Sequence, residues 1–370
     1  MVSDTAAMVL AVTVALSGPV TAEPADAPGS VTEVSPLPAE VSVPEASAGH
    51  RLIYWSRGPR GPMLSSGALY LPAGTPPPGG WPIVAYAHGS VGIADHCAFT
   101  LRSRDYYLKS VYPGLLAAGY AVMISDYVGL GTPGTHPYLD GPSQARSVID
   151  GVRAARSVTP QLGTRWAVLG QSQGGQTALF TARTAPSDAP ELDFRGAAST
   201  GAPSNLELVA PLLGPWVPRL PLRITTAYFA MIVAGLRATA PELDIDSYLT
   251  PTGVDVVRVA EENCVAEADA LVRDIAIGDM LARPLQDPAL IAAVRSMLEI
   301  PTSGYTTPLF VGQGLADLEV PAPLSAKMIA DLLAGGADLR VGVYSEDHLG
   351  AARAAYPDVL AFLRRVLERQ

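Results

Sequence analysis

Continuous apolar segments alternate with helical segments along most of this chain, and this alternation limits its possible folds more than any other feature. Trp81–Ala87 is a continuous apolar run, which is typical of a parallel strand buried between two layers of helices. The alternation predicts an α/β fold with a mostly parallel, doubly wound sheet. It continues with strands at 120–125, 165–170, 195–200, 308–312 and 339–344, and helices at 112–118, 143–157, 174–183, 321–335 and 357–369.

The alternation is interrupted over residues 205–300, where the pattern is helical throughout. Prolines and arginines break its apolar part too often for a membrane span. We therefore expect a helical cap inserted into an α/β core of residues 49–204 and 301–370. Two additional core helices are the alternative.

The first 48 residues are not expected to belong to the core. Residues 6–16 form an apolar run as long as a signal-peptide core and too short to cross a bilayer. We expect a signal peptide over residues 1–27 and a secreted protein, although Asp4 stands where a basic residue is usual. A disordered apolar tail or a misplaced start is the alternative. Residues 28–48 are rich in proline and predict a flexible linker.

Charge and cysteine content exclude several functions. The net charge of −10 argues against nucleic-acid binding, which requires a basic surface. Cys97 and Cys264 lack the clustered spacing of a zinc site, and no C-x-x-C motif is present. The two cysteines allow one intramolecular pair, and its meaning depends on the compartment. Nothing in the sequence indicates a metal, haem, flavin or nicotinamide, so we expect no cofactor.

A G-x-S-x-G motif, residues 170–174, lies where a predicted buried strand turns into a helix. Such a tight turn needs glycines, because side chains there would collide with neighbouring backbone. It exposes the hydroxyl of Ser172 above the sheet and directs the Gln173 backbone N–H to the same space. Ser172 is therefore the expected nucleophile. The alternative is a plain glycine-rich turn.

A nucleophilic serine needs a base, and in this fold the base follows the serine in the chain. His348 is the single histidine after Ser172, and it comes just after a predicted strand. It is the expected base, and a histidine in a surface loop is the alternative.

The base needs an acid that orients it, and three carboxylates compete for this role. Asp317 follows the preceding strand and is the expected acid. Glu319 lies two residues into the next element. Asp347 is adjacent to His348, and neighbouring side chains in an extended chain diverge.

The oxyanion formed during acyl transfer needs a second N–H donor besides Gln173. The turn after the strand 81–87 is where this fold places it, and we expect the Ser90 backbone N–H, with Gly89 as the rival. His88 is expected to support the turn. The loop 125–131 lacks the lysine of a phosphate-binding loop and is interpreted as structural.

Three segments, residues 88–97, 126–131 and 170–175, resemble the secretory lipase family over roughly residues 45–370. The resemblance implies an α/β-hydrolase fold with a helical cap and hydrolysis of carboxylic esters. It places nucleophile, acid and base at Ser172, Asp317 and His348. It also implies a disulfide between Cys97 and Cys264. The elbow sequence Gln171-Ser172-Gln173 differs from other members, which leaves the substrate preference open.

The sequence thus predicts a secreted serine esterase acting on acylglycerols or other lipid-like esters. Expected partners are a small ester substrate and, transiently, lipid interfaces, with no nucleic acid and no obligate protein partner. A short-chain carboxylesterase, an acyltransferase or an exported peptidase could use the same triad, whereas a non-catalytic binding module would have lost part of it. Apolar cap residues suit an acyl tunnel, a lid or a buried helix pair: Leu212, Leu213, Trp216, Phe229, Met231, Ile232 and Val233.

Overall fold

A computed structural model describes residues 26–102 and 107–368. The predicted signal peptide, except for its last two residues, lies outside the described residues. No helix within them is both long and apolar enough to cross a membrane.

The described residues contain a nine-stranded sheet with the order β1-β2-β3-β5-β4-β6-β7-β8-β9. The first three strands and β5 pair antiparallel, and every pair from β5 through β4 to β9 is parallel. The predicted mostly parallel α/β sheet is therefore confirmed. The strands are β1 Val31–Pro36, β2 Ala48–Gly58, β3 Gly61–Leu71, β4 Trp81–Ala87, β5 Ala121–Val128, β6 Leu162–Gln171, β7 Asp193–Thr200, β8 Leu309–Gly314 and β9 Leu339–Tyr344.

Helices cover both faces of this sheet. Alternate residues of β4 enter two apolar clusters, Ile83 on one face and Val84 on the other, as expected for a strand buried on both sides. Helices α2 and α3 pack on the first face, and α1 and α11 on the second. The helices are α1 Tyr112–Ala117, α2 Gly141–Val158, α3 Gln173–Asp188, α4 Leu206–Val209, α5 Thr225–Thr239, α6 Pro251–Glu262, α7 Val265–Val272, α8 Ile277–Met280, α9 Pro288–Leu298, α10 Ala322–Ala334 and α11 His348–Leu367.

Helices α4 to α9, here called the cap, lie between β7 and β8 in the chain. Their apolar residues form a third cluster, which also takes in Ile93, Tyr138 and Leu139 from the loops after β4 and β5. Those loops leave the carboxyl ends of their strands. The cap therefore packs on the edge of the sheet where the predicted site residues gather.

A disulfide joins the cap to the core. Cys97 and Cys264 are bonded, with an S–S distance of 2.06 Å, and lie 167 residues apart in sequence. Closing so long a loop restricts the unfolded chain and contributes on the order of 5 kcal/mol in the chain-entropy description. Val265 also donates its backbone N–H to Val91 O at 3.0 Å, so the link has a main-chain component. The predicted disulfide is confirmed.

The N-terminal segment corrects one prediction. Residues 28–48 are not a linker outside the core, because 31–36 form β1, paired antiparallel with β2. Val41 and Val43 are buried in addition. The prolines misled the prediction, since an edge strand tolerates proline at positions that need no ladder hydrogen bond.

The last helix also differs from its prediction. It begins at His348, nine residues before Pro357, and proline lies inside it. The Asp347 carboxylate accepts a hydrogen bond from the Gly350 N–H at 2.8 Å and caps the helix. Proline is favoured at a helix start, which is why 357 was the predicted boundary.

Candidate active site

Ser172 occupies a strained turn between β6 and α3. Its backbone has φ 56° and ψ −122°, a region that residues with side chains rarely adopt. The turn is held by hydrogen bonds from Ser172 N to Thr200 O at 2.8 Å and from Gly175 N to Ser172 O at 2.7 Å. A side chain at Gly174 would place its Cβ 1.8 Å from Ala87 O, so only glycine allows the approach.

His348 and Asp317 form a close, buried pair. His348 Nδ1 lies 2.6 Å from Asp317 Oδ2, and both residues are 4% exposed. Asp317 Oδ1 accepts the backbone N–H groups of Glu319 and Val320 at 2.9 and 2.8 Å. Burial alone would raise the pKa of Asp317. The hydrogen bond and charge of His348, with the two N–H donors, outweigh burial and hold that pKa below its usual value.

The two rival carboxylates are engaged elsewhere. Glu319 Oε2 accepts the hydroxyl of Tyr228 at 3.0 Å, and Asp347 caps α11. Of the three candidates, Asp317 is the one hydrogen-bonded to His348.

The second ring nitrogen of His348 has an unforeseen neighbour. Its Nε2 lies 3.0 Å from Gln171 Nε2, and Gln171 is buried. Within residues 26–102 and 107–368, Ser172 Oγ takes part in no hydrogen bond, and Ser172 is 6% exposed. The structure thus brings His348 and Asp317 together and places Gln171, the residue before Ser172, at the second ring nitrogen of His348.

Gln173, the first residue of α3, is anchored through its side chain. Gln173 Nε2 lies 3.1 Å from His136 Nε2, and His136 Nδ1 lies 3.0 Å from the Val128 carbonyl. Because a carbonyl only accepts, Nδ1 carries the ring hydrogen and Nε2 accepts from Gln173. His136 has no motif of its own, and its one signal in the sequence is its place after a predicted strand at the same edge of the sheet.

The turn after β4 lies against the elbow. A Cβ built on Gly89 would be 3.4 Å from Ser172 Cβ, and Ser90 Oγ lies 2.6 Å from Tyr138 Oη. His88 stacks on Phe99 with ring centroids 4.9 Å apart, and its Nδ1 lies 2.7 Å from Gly89 O, as a supporting side chain would. Which N–H of this turn faces an oxyanion stays a prediction.

The first part of the predicted loop 125–131 belongs to β5, which continues to Val128, and it is held by structural contacts. The Asp126 carboxylate is fully buried and accepts hydrogen bonds from Thr100 N at 2.9 Å and Ser66 Oγ at 2.7 Å. Tyr127 donates its hydroxyl to His88 O at 2.9 Å. These contacts tie the end of β5 to β3 and to the segment that follows β4.

A grouping with metal-ligand spacing in the described part of the chain is formed by His96 with Cys97 and Cys264. Both cysteines are in the disulfide, so they offer no thiolate to a metal ion.

A largely apolar cavity of about 220 Å³ opens above Ser172, which is part of its wall. Leu212 and Trp216 were candidates for this wall, but they are 67% and 61% exposed instead. Met231 is fully buried and does not line the cavity either. The cap contributes Leu213, Phe229, Ile232, Val233, Val294 and Leu298 to it.

Burial of His136 makes the protein sensitive to acid. Burial lowers the pKa of His136 to about 4, against about 6.5 in an unfolded chain. As the pH falls from about 6.5 to 4, the unfolded chain binds a proton at this histidine and the folded protein does not, so the free energy of unfolding falls by about 3 kcal/mol.

The free energy of unfolding of His136→Gln should therefore fall by about 2–3 kcal/mol less than that of wild type between about pH 7.5 and 4.5, measured by urea unfolding. His96→Gln, which removes an exposed histidine, is the control. Equal acid losses in all three proteins would contradict the expectation.

The comparisons with known proteins agree with the fold. A profile of the secretory lipase family matches residues 105–365. No curated protein matches the sequence significantly. Candida antarctica lipase A is 20% identical, with a TM-score of 0.77 over 92% of this chain and 82% of that chain. Its closed-state structure gives a TM-score of 0.75. The rice cell wall degrading esterase LipA from Xanthomonas oryzae is 19% identical, with a TM-score of 0.69 over 92% of this chain and 98% of that chain.

Proposed function

The chain belongs to the secretory lipase family, and from this premise we propose that it is an exported serine hydrolase that cleaves lipid-like carboxylic esters through an acyl-enzyme intermediate. Family and fold make it a lipolytic ester hydrolase. The observation that carries the finer proposal is the buried His348–Asp317 pair beside a serine in a strained turn, under an apolar cavity.

In the proposed first half-reaction, Ser172 Oγ attacks the ester carbonyl while His348 Nε2 takes its proton. The C–O bond to the alcohol then breaks, and the alcohol leaves with the proton from His348. Asp317 accepts the Nδ1–H throughout and stabilises the imidazolium ion that forms in between. The second half-reaction repeats these steps with water as the nucleophile, which releases the acid and restores Ser172.

Two backbone N–H groups are assigned to the oxyanion. Gln173 is the first residue of α3, where the helix dipole also favours negative charge. Ser90 lies on the turn that packs against the elbow and is the proposed second donor. The side-chain contact between Gln173 and His136 supports this role, because it holds in place the residue that carries the first donor.

The apolar wall of the cavity favours a substrate with an acyl chain over a polar substrate. Each buried methylene adds about 0.8 kcal/mol of binding, a factor of about four, as long as the chain stays inside. The exposed Leu212 and Trp216 on the cap suit transient contact with a lipid surface. We therefore favour lipid-like esters over acetyl esters. A short-chain carboxylesterase and an acyltransferase with the same triad are the alternatives.

The test is the initial rate on p-nitrophenyl esters from acetyl to palmitoyl. We expect kcat/KM to rise with chain length until the cavity is full, and Val233→Phe, which fills part of it, to move the optimum to shorter chains. With this variant the palmitoyl-to-butyryl ratio of kcat/KM should fall about tenfold or more, the equivalent of two or more methylenes. Val254→Phe, the same change at an exposed cap position outside the cavity, is the matched control.

Two other results would change the proposal. No turnover on any ester would contradict it, and a peptidase would then be tested. An optimum at acetyl that Val233→Phe leaves unchanged would assign the short-chain esterase. Added alcohol acceptors distinguish an acyltransferase, because they then collect the acyl group in place of water.

A further inference from the structure

The ring nitrogen of His348 that is not bound to Asp317 is already hydrogen-bonded to another side chain. Asp317 accepts the hydrogen on Nδ1, so Nε2 of the neutral ring carries a lone pair and binds only a donor. Gln171 Nε2, 3.0 Å away, is such a donor. The amide thus occupies the atom that the proposed mechanism uses as proton acceptor.

Gln171 and Ser172 compete for one lone pair. They are consecutive residues, the last of β6 and the first of the turn, and both are 6% exposed. In the part of the chain that the structure describes, the Gln171 amide holds Nε2 and the Ser172 hydroxyl is without a hydrogen bond. Serine cannot transfer its proton to His348 until the amide moves away.

The position of the amide is built into the fold. Its other end points to the turn after β4, where a Cβ on Gly89 would lie 2.4 Å from Gln171 Oε1. The missing side chain at Gly89 is what makes room for the amide. Gln171 therefore fills the space between the base and the proposed oxyanion turn.

We propose that Gln171 is a positioning residue. Its amide binds the proton-accepting nitrogen of His348 in the substrate-free enzyme and moves away when substrate enters, so that Ser172 can bind this nitrogen instead. The proposal rests on the proposed function, because it takes His348 as the base. A proton from solvent can bind Nε2 only by displacing the amide, since two N–H donors cannot face each other. The Gln171 amide and the Ser172 hydroxyl thus compete for the same nitrogen atom.

Few charged groups surround His348. The carboxylate of Asp317 contacts it from the loop after β8. Glu346 and Asp347 precede it in the chain and are exposed. Glu319, two residues after Asp317, is hydrogen-bonded to Tyr228. All four carboxylates remain in the variants below, so a change in pH dependence reports on Gln171.

The experiment is the pH profile of kcat/KM for p-nitrophenyl butyrate, from about pH 4 to 9. Gln171→Met removes the donor at similar size, and the acidic limb should move to higher pH by about half a unit, the effect of losing one neutral hydrogen bond. Gln171→Glu replaces the donor by an acceptor that favours the protonated ring, and its limb should move by about one unit or more.

Gln176→Met is the matched control. Gln176 is equally buried in α3 and donates to Leu298 O at 3.2 Å, away from His348, so its acidic limb should stay at the wild-type position. Should Gln171→Met fail to fold, Gln171→Glu and the shorter Gln171→Asn still remove the contact.

Acidic limbs that coincide with wild type in every folded Gln171 variant would overturn the proposal. A wild-type enzyme without esterase activity would instead contradict the proposed function, so the two failures are distinguishable.

Discussion

Replacing Ser172 with alanine is expected to lower kcat/KM for ester hydrolysis by a factor on the order of 10⁵ or more. The variant loses the group that forms the acyl-enzyme in the proposed mechanism, while the cavity and the proposed oxyanion donors remain. The loss should appear in kcat rather than in KM, because the methyl group leaves acyl binding intact. Initial rates on the best p-nitrophenyl ester measure it, after melting temperatures show that both proteins are folded.

Ser204→Ala is the matched control for this variant. Ser204 is buried in the wall of the same cavity and has no role in the proposed chemistry. Its kcat/KM should stay within a few-fold of wild type. Residual activity of Ser172→Ala above a few per cent would show that another group carries the reaction.

Replacing Asp317 with asparagine should cost a factor of about 10⁴ in kcat/KM. Asparagine keeps its oxygen on the backbone N–H groups of Glu319 and Val320 and turns its NH2 toward Nδ1, which then has to accept. The ring hydrogen therefore moves to Nε2, which loses the lone pair that the proposed mechanism uses. The amide also cannot stabilise the imidazolium ion that forms during proton transfer. The rate on the same ester measures the effect, and an intact fold is expected because size and shape change little.

The two rival carboxylates supply the controls. Glu319→Gln and Asp347→Asn likewise replace a carboxylate by an amide. Glu319 is two residues from Asp317, and Asp347 is next to His348. Each should lower kcat/KM less than about tenfold, since neither side chain is hydrogen-bonded to His348. A loss in either control as large as that in Asp317→Asn would reassign the acid.

The sheet was predictable because its strands are buried on both faces. The sequence predicts β4 with the bounds that the structure shows, Trp81–Ala87. A short run that is apolar at both odd and even positions is typical of a strand buried on both faces. β1 was not recognised, because an edge strand with proline and polar side chains has the composition of a linker. Only the pairing of β1 with β2 distinguishes this edge strand from a linker. The two strands are about 20 residues apart in the chain, so no short sequence pattern indicates their pairing.

The site divides in the same way. Ser172 has a local motif, and the order of chain elements predicted His348 and Asp317 beside it. Gln171 and His136 have no motif, because their roles come from contacts across 177 and 37 residues of sequence. The glutamine before Ser172 is a departure from other members of the family. That its side chain points to His348 is visible only in the three-dimensional structure.

The disulfide determines which peptide bonds a protease can cut without dividing the molecule. The ring closed by Cys97 and Cys264 contains Ser172, and it also contains the exposed Trp216 of the cap. A cut there opens the ring but leaves one covalent molecule, in which Ser172 stays attached to the segment that carries Asp317 and His348. A cut between 265 and 316 separates Ser172 from both. The bond therefore gives the first half of the cap, up to Cys264, a tolerance to cleavage that its second half does not have.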